Sequence, residues 1–151
     1  EITMFYEQSN LTDDALSAVG FLAPLTGDHA LRFNVLEDEM LVEISCEGVM
    51  LMDGVALLAE LGFQVDALPA TKLWAYNQAV ADTAGELRPV SFKRVYRLAR
   101  GEHVVTLLGQ ATAASAPALN GTAYPTRTSV MQISNSNVLA ANANAKRAGI
   151  Y

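Results

Sequence analysis

The sequence predicts an α+β protein, in which a small acidic head of two helices packs on a mostly antiparallel sheet and is followed by an extended C-terminal arm with short β segments. Two stretches within the first 108 residues place apolar side chains at helical spacing, and several shorter stretches alternate apolar and polar residues. From residue 110 onward, Ala, Ser, Thr, Asn and Pro dominate, and such a composition builds no core of its own. We therefore divide the chain into a head, residues 1–108, and an arm, residues 109–151.

The charges divide at nearly the same place. All sixteen acidic residues precede residue 103, together with seven of the ten basic ones, so the formal charge is about −9 before His103 and about +3 from His103 onward. An acidic head argues against direct nucleic-acid binding, because a polyanion is repelled. No apolar run reaches the ~18–20 residues that span a bilayer. We expect neither nucleic acid nor a membrane as a partner.

Two helices are predicted in the head. The first covers residues 10–23, where Asp13 and Asp14 suit a first turn. The second covers residues 67–84 and ends before Gly85, with Trp74 beside its apolar stripe as a core anchor. The apolar stripes are Leu11, Ala15, Val19 and Leu22 in the first helix, and Leu73, Tyr76, Val80 and Ala84 in the second.

The strands are predicted from alternation. Residues 53–62 fit either a short helix or a strand, and we favour the strand. Residues 90–108 fit either period, but Gly101-Glu102 followed by Val-Val-Thr favours a hairpin. The other predicted strands are 31–35, 41–46, 49–52, 128–134, 138–143 and 148–151.

Few residues suggest chemistry. His29 and His103 lack metal-compatible neighbours at turn or helix spacing, and Glu37-Asp38-Glu39 lacks the alternating ligands of a calcium loop. Cys46 lies in an alternating apolar stretch and is expected to be a buried, inert thiol. We expect no catalytic residue, no metal and no cofactor.

A basic patch in the acidic head has two interpretations. It is either a salt-bridged outer face or a docking surface for an acidic partner. Its residues are Lys93, Arg94, Arg97 and Arg100.

The closing run, residues 137–151, reads NVLAANANAKRAGIY. It resembles a short β motif of tailed-bacteriophage virion proteins, found in capsid decoration, head-fibre and related accessory components. Val138-Leu-Ala-Ala-Asn142 matches the first strand of that motif, Asn144 the turn, and Lys146-Arg147 the basic pair. The motif's sheet normally continues beyond the position of Tyr151, so we expect either a longer natural chain or a motif used as an arm.

The resemblance implies a non-enzymatic virion structural protein of a tailed phage, assembled in the cytoplasm of a bacterial host. Its partners would be other virion subunits, either capsid or neck or tail protein, which it would bind as a decoration, minor capsid or fibre-anchoring component. A homo-oligomer is also expected. The arm would bind a neighbour by main-chain pairing, apolar anchors and basic side chains. The predicted partner-binding residues are Tyr124, Arg127, Val130, Ile133, Val138, Leu139, Lys146 and Arg147.

A second resemblance gives the alternative function. The predicted order of helix, strands, helix and hairpin resembles class I type III secretion chaperones, which are acidic α+β homodimers that bind an effector segment. Residues 55–62 and 73–77 fit that outline. The Asn- and Ala-rich end departs from it, because such chaperones end in an amphipathic helix.

Overall fold

The computed structural model describes residues 2–16, 21–25, 29–52, 57–78, 86–111 and 117–133. All the regular secondary structure within these ranges is β-strand, and all the strand pairs are antiparallel. In chain order the strands are β1 (Ile2–Asn10), β2 (Asp13–Ala15), β3 (Ala23–Pro24), β4 (Ala30–Val35), β5 (Met40–Met52), β6 (Leu57–Val65), β7 (Thr71–Gln78), β8 (Glu86–Leu98), β9 (Gly101–Ala111), β10 (Ala118–Asn120) and β11 (Thr126–Ile133).

Sheet A is built around β5. On one side, β8 pairs with β5 along its whole length, from Met40 opposite Leu98 to Met52 opposite Glu86. On the other side, β11 pairs with the first half of β5 and β10 pairs near its end. β1 lies beyond β11, and β2 lies beyond β10. Among the described strands, all three neighbours of β5 therefore come from the second half of the sequence.

Sheet B has β9 in its interior. β6 pairs with one side of β9, and β4 and β3 pair with the other. β7 completes the sheet beyond β6. A β-bulge interrupts the β6–β7 pair, where Leu61 lies opposite Trp74 but the next residue, Gly62, lies opposite Lys72.

The core lies between the two sheets. Alternate residues of each strand point inward, so Ile44 of sheet A and Leu61 and Leu107 of sheet B are completely buried. The rings of Phe63 in sheet B and Phe92 in sheet A meet across the interface, with centroids 5.0 Å apart. Burying each large apolar side chain contributes about 1.5–3 kcal/mol. The sheets thus stabilise one another through a shared apolar layer.

The sandwich has two distinguishable ends. At one, which we call the turn end, Arg100 Nε donates to the Leu36 carbonyl at 3.1 Å, and the Asp66 N–H donates to Val104 at 2.8 Å. The turns β4–β5, β6–β7 and β8–β9 lie there. At the other end, Asn10 Nδ2 lies 3.4 Å from Nε2 of His29.

The predicted α+β class is wrong, because the described residues contain no helix. The described part of the first predicted helix, 10–23, holds the last residue of β1, the short strand β2 and the first residue of β3, and Leu11 of its apolar stripe is 63% exposed. The second, 67–84, contains β7. Its pattern misleads because of the bulge, which lets the consecutive residues Leu73 and Trp74 both pack against the core, together with Tyr76.

The predicted extended arm is also corrected over residues 117–133. β11 lies between β1 and β5 inside sheet A, and β10 pairs with both β5 and β2. The predicted boundary after residue 108 falls within β9. The small and β-branched residues of this segment need no core of their own, because they share the core of the preceding strands. Residues 134–151, with two further predicted strands, lie outside the described residues.

Several predicted strands are confirmed. β4 covers 31–35, one continuous strand, β5, covers both 41–46 and 49–52, and β11 contains most of 128–134. The favoured strand at 53–62 corresponds to β6, of which the described part begins at Leu57. The hairpin at 90–108 is formed by β8 and β9, and its turn includes Gly101 at φ 127°, a conformation that favours glycine.

Candidate interaction surface

Two of the predicted partner-binding residues lie together. Tyr124 and Arg127 line one recess of about 330 Å³, beside Glu47 and Val49 of β5. Tyr124 is 45% exposed, so its ring is accessible from solvent. These are the features expected of a small docking recess: an aromatic anchor, a guanidinium group and an apolar floor.

The other predicted residues are placed differently. Val130 is completely buried in the core between the sheets and is unable to contact a partner. The backbone of Ile133 pairs with Ile2 and Leu41 inside sheet A, and its side chain is not described. The remaining four, Val138, Leu139, Lys146 and Arg147, lie outside the described residues.

The recess forms where β5 changes partners. β11 pairs with β5 as far as Glu47, and β10 pairs with it again at Met50. Between those positions the chain turns away through residues 121–125. The Tyr124 N–H donates to the Asn120 carbonyl at 2.9 Å, which closes this turn. A Cβ on Gly121 would lie 2.2 Å from the Thr12 carbonyl oxygen, so only glycine permits this close approach.

A second groove, of about 400 Å³, adjoins the recess. It is lined by Glu43, Ser45 and Glu47 of β5 together with Ser91, Phe92 and Lys93 of β8. Glu47 lines both cavities, so they form one surface on the outer side of sheet A. We call this surface, including Tyr124 and Arg127, the Glu47 face.

The charges of the Glu47 face alternate from strand to strand. Glu7 of β1 lies 3.6 Å from Arg127 of β11, and Arg127 lies opposite Glu47 of β5. In the next rows, Ser45 lies opposite Lys93, and Leu41 lies opposite Arg97. The acidic strands β1 and β5 thus alternate with the basic strands β11 and β8, which leaves this face nearly neutral although the whole chain carries −6.

The basic patch predicted from sequence is divided by strand geometry. Lys93 and Arg97 share the outward side of β8, and Arg97 lies 3.9 Å from Glu39. Arg94 is one residue out of phase with these two along the strand, and its Cζ atom lies 5.3 Å from the centroid of the Tyr96 ring. Arg100 is bound to the Leu36 carbonyl in the adjacent turn. Of the four cations, only Lys93 and Arg97 belong to the outer face.

Both histidines pair with aspartates. Nε2 of His29 lies 2.6 Å from Oδ2 of Asp14, and both side chains are almost fully buried. Because β2 carries Asp14 and residue 29 immediately precedes β4, this pair joins sheet A to sheet B. His103 and Asp66 form an equally short pair near the turn end. Both pairs join separate elements of the fold.

Sulfur and metal chemistry receive no support from the described residues. Cys46 is completely buried, and burial raises its pKa to about 12, with a smaller opposing effect from its hydrogen bond to Thr128. In the described part of the chain, no three His, Cys, Asp or Glu side chains are grouped to hold a metal ion. The same residues include no helix with the length and apolar character to cross a membrane.

Sequence reasoning missed the β5 part of the Glu47 face. Its signal was present in β5, where the buried residues Val42, Ile44 and Cys46 alternate with Glu43, Ser45 and Glu47. The alternation predicted the strand. It did not reveal that Arg127, eighty residues later in the chain, lies directly opposite Glu47, because strand order depends on long-range packing.

Neither a protein family nor a curated protein matches the sequence. Among solved structures, the chain is similar to one of infectious bursal disease virus (Gx strain), with 9% identity and a TM-score of 0.44, over 87% of this chain and 32% of that one. It is similar to the Bacillus endospore appendage, with 17% identity and a TM-score of 0.41, over 89% of this chain and 92% of that one. It is also similar to Eiger TNF from S. frugiperda, with 11% identity and a TM-score of 0.38, over 86% of this chain and 93% of that one. The chain thus spans about a third of the viral protein and nearly all of the other two, and likenesses of this size carry no functional assignment.

Proposed function

We propose that the chain is a non-enzymatic structural protein of a tailed-phage virion. In this proposal it binds capsid or neighbouring subunits as a decoration, minor capsid or fibre-anchoring component. The observation that carries the proposal is the Glu47 face itself, in which the recess at Tyr124 and Arg127 is continuous with the groove between β5 and β8. The resemblance of residues 137–151 to a virion β motif supports the choice of partner.

The chemistry of the Glu47 face suits a protein partner. Tyrosine and arginine are enriched where protein interfaces concentrate their binding energy, and here Tyr124 and Arg127 share one recess. The alternating charges would accept a surface with the complementary alternation and would oppose one of a single sign, because like charges in contact are unfavourable. The face therefore favours selective docking of an ordered protein surface.

Lys146 and Arg147 have a separate role in this proposal. As the basic pair of the closing motif, they would contact acidic surface on the partner, while Val138 and Leu139 would supply apolar anchors. These four residues add to the Glu47 face and do not replace it.

The secretion-chaperone alternative loses its basis. That resemblance depended on helices at 10–23 and 67–84, and the described parts of both ranges hold strands and no helix. No other observation favours it.

The proposal is tested on particles of a tailed phage that encodes this chain, purified by density gradient and analysed by quantitative mass spectrometry. The chain should be present at a fixed ratio to the major capsid protein. Absence from the particles, despite abundance in the infected-cell lysate, would reject the virion role.

The docking surface is tested in the same phage with Tyr124→Ala. Leu68→Ala is the matched control, because Leu68 has similar exposure, 50%, and lies at the turn end. Loss of an aromatic anchor should lower particle occupancy at least about tenfold, which corresponds to about 1.4 kcal/mol. The control should stay within about twofold. Equal occupancy of both variants would reject the Glu47 face as the docking surface while leaving the virion role intact.

A further inference from the structure

Sheet A has two long outer strands. Among the described strands, β1 pairs only with β11, and β8 pairs only with β5. An outer strand presents a row of backbone N–H and C=O groups to whatever approaches, and it is a template for pairing with another chain unless the sequence prevents it. The two strands differ sharply in this respect.

The sequence of β8 discourages pairing. Pro89 lacks the N–H that a ladder needs, and four cations lie along the strand. A second β8 placed alongside would bring these cations together, and Lys and Arg at an edge are a common protection against such contact. The cations are Arg88, Lys93, Arg94 and Arg97.

The sequence of β1, ITMFYEQSN, carries none of these protections. It contains no proline and one charged residue, Glu7. Glu7 Oε1 lies 3.6 Å from Nε of Arg127 in the adjacent strand, so its charge is offset within its own sheet. From Met4 to Asn10 the pairing with β11 is regular, without a bulge that would twist the strand away.

The strand is also held in a defined position. The hydroxyl of Tyr6 accepts a hydrogen bond from the Asn34 N–H at 3.3 Å, and the Tyr6 ring packs against Phe33 with centroids 6.2 Å apart. These contacts join β1 to β4 of the other sheet. A strand fixed in this way loses little conformational freedom when it pairs again.

We infer that β1 pairs antiparallel with β1 of a second copy of this chain, which extends sheet A across a two-fold axis. A two-fold interface brings the same strand together from both copies, and β1 suits this because its single charge is already offset. A register that places Glu7 opposite position 5 or 9 of the other copy avoids a direct Glu7–Glu7 contact. The combined sheet would contain β8, β5, β11 and β1 from each copy. This inference is independent of the virion role, since it concerns only copies of this chain.

Two serines in one row of sheet A provide the test. Ser9 of β1, Arg127, Glu47 and Ser91 of β8 lie opposite one another in turn. Ser9 and Ser91 are both exposed, but they lie on opposite edges. Since Cys46 is buried, Ser9→Cys and Ser91→Cys each provide one accessible thiol for a nitroxide spin label.

Light scattering measures the mass of the full chain in solution, and double electron–electron resonance measures the distance between the spin labels on two copies. We expect a dimer, with Ser9 labels within about 25 Å of one another and Ser91 labels beyond about 34 Å, because strands are spaced ~4.8 Å apart. A chain that stays monomeric at all concentrations overturns the inference, including the case in which residues 134–151 of the same chain cover β1. A dimer with the shorter distance at Ser91 overturns it as well.

Discussion

Nδ1 of His103 lies 2.6 Å from Oδ2 of Asp66, while Nε2 of the same ring lies 2.7 Å from the carbonyl oxygen of Ala99. Neither acceptor has a hydrogen to donate, so both bonds form only when the imidazole is protonated on both nitrogens. Burial lowers the pKa of His103, but the hydrogen bonds to Asp66 and Ala99, together with the charge of Asp66, outweigh it. The pKa is therefore raised above its ordinary value of 6.5.

This arrangement predicts a stability that depends on pH. Because the folded pKa of His103 is raised, its contribution is fully present below the unfolded pKa, near 6.5, and is lost as pH rises through the folded value. Urea unfolding at pH 5.5 and 8.5 measures this loss. His103→Gln should cost about 1 kcal/mol at pH 5.5 and much less at pH 8.5. His29 is present in both the wild type and the variant, so it does not account for a difference between them. If the variant keeps the pH dependence of the wild type, His103 is not the cause of that dependence.

Val130→Ala tests whether β11 belongs to the core. Val130 is completely buried, so the truncation leaves a cavity and should lower the free energy of unfolding by about 1–3 kcal/mol. Val95→Ala is the matched control, because Val95 is 54% exposed on β8 and should change stability by less than about 0.5 kcal/mol. Guanidinium denaturation measures both, and equal effects would indicate that Val130 does not pack in the core.

Several strands of this fold are predicted correctly and both predicted helices are wrong, for a local reason. Where burial alternates strictly, as in Leu31–Val35 and Leu41–Cys46, the two-residue period is readable and the strands are confirmed. At Leu73-Trp74 the bulge places consecutive large residues against the core, and with Tyr76 they imitate the spacing of a helix. Asp13 and Asp14, interpreted as a helix start, instead accept the Thr122 N–H and pair with His29. Such partners are distant in sequence, so no local pattern predicts them.

The same limit applies to the interaction surface. Tyr124 was predicted as an apolar anchor of the arm, and Arg127 as one of its basic contacts. Val130 was included for its apolar side chain, which in an isolated arm would be an anchor. Once β11 lies between β1 and β5, alternation turns Val130 inward and Arg127 outward. The neighbouring strands therefore decide which of these two side chains is exposed.

Gly62 is expected to be intolerant of substitution. A Cβ at this position would lie 2.0 Å from the Thr71 carbonyl oxygen, which is backbone and has little freedom to move. Gly62→Ala should therefore cost more than about 3 kcal/mol, at or beyond the usual range for overpacking. At Gly48 the nearest atom is Thr126 Oγ1 at 3.3 Å, so Gly48→Ala should be much milder. Thermal unfolding of the two variants compares them, and a smaller loss at Gly62 would contradict the described bulge.

Cys46 should be unreactive in the folded protein. Its thiol is buried and its pKa is raised to about 12, so almost no thiolate exists at pH 8. A chromogenic disulfide reagent at pH 8 should titrate no thiol in the native chain and one thiol in guanidinium. Ser91→Cys, on the exposed side of β8, is the positive control and should react at once. Rapid reaction of native wild-type protein would show that Cys46 is accessible.

The fold and the Glu47 face both require β11 to be an interior strand of sheet A. Native-state amide hydrogen exchange, resolved by residue, tests this directly over Arg127–Gln132. Because β11 has β1 on one side and β5 on the other, these amides should be protected as strongly as those of Val42–Cys46 in β5. Exchange as fast as that of the exposed turn at Leu36–Glu39 would contradict the fold, and with it the Glu47 face.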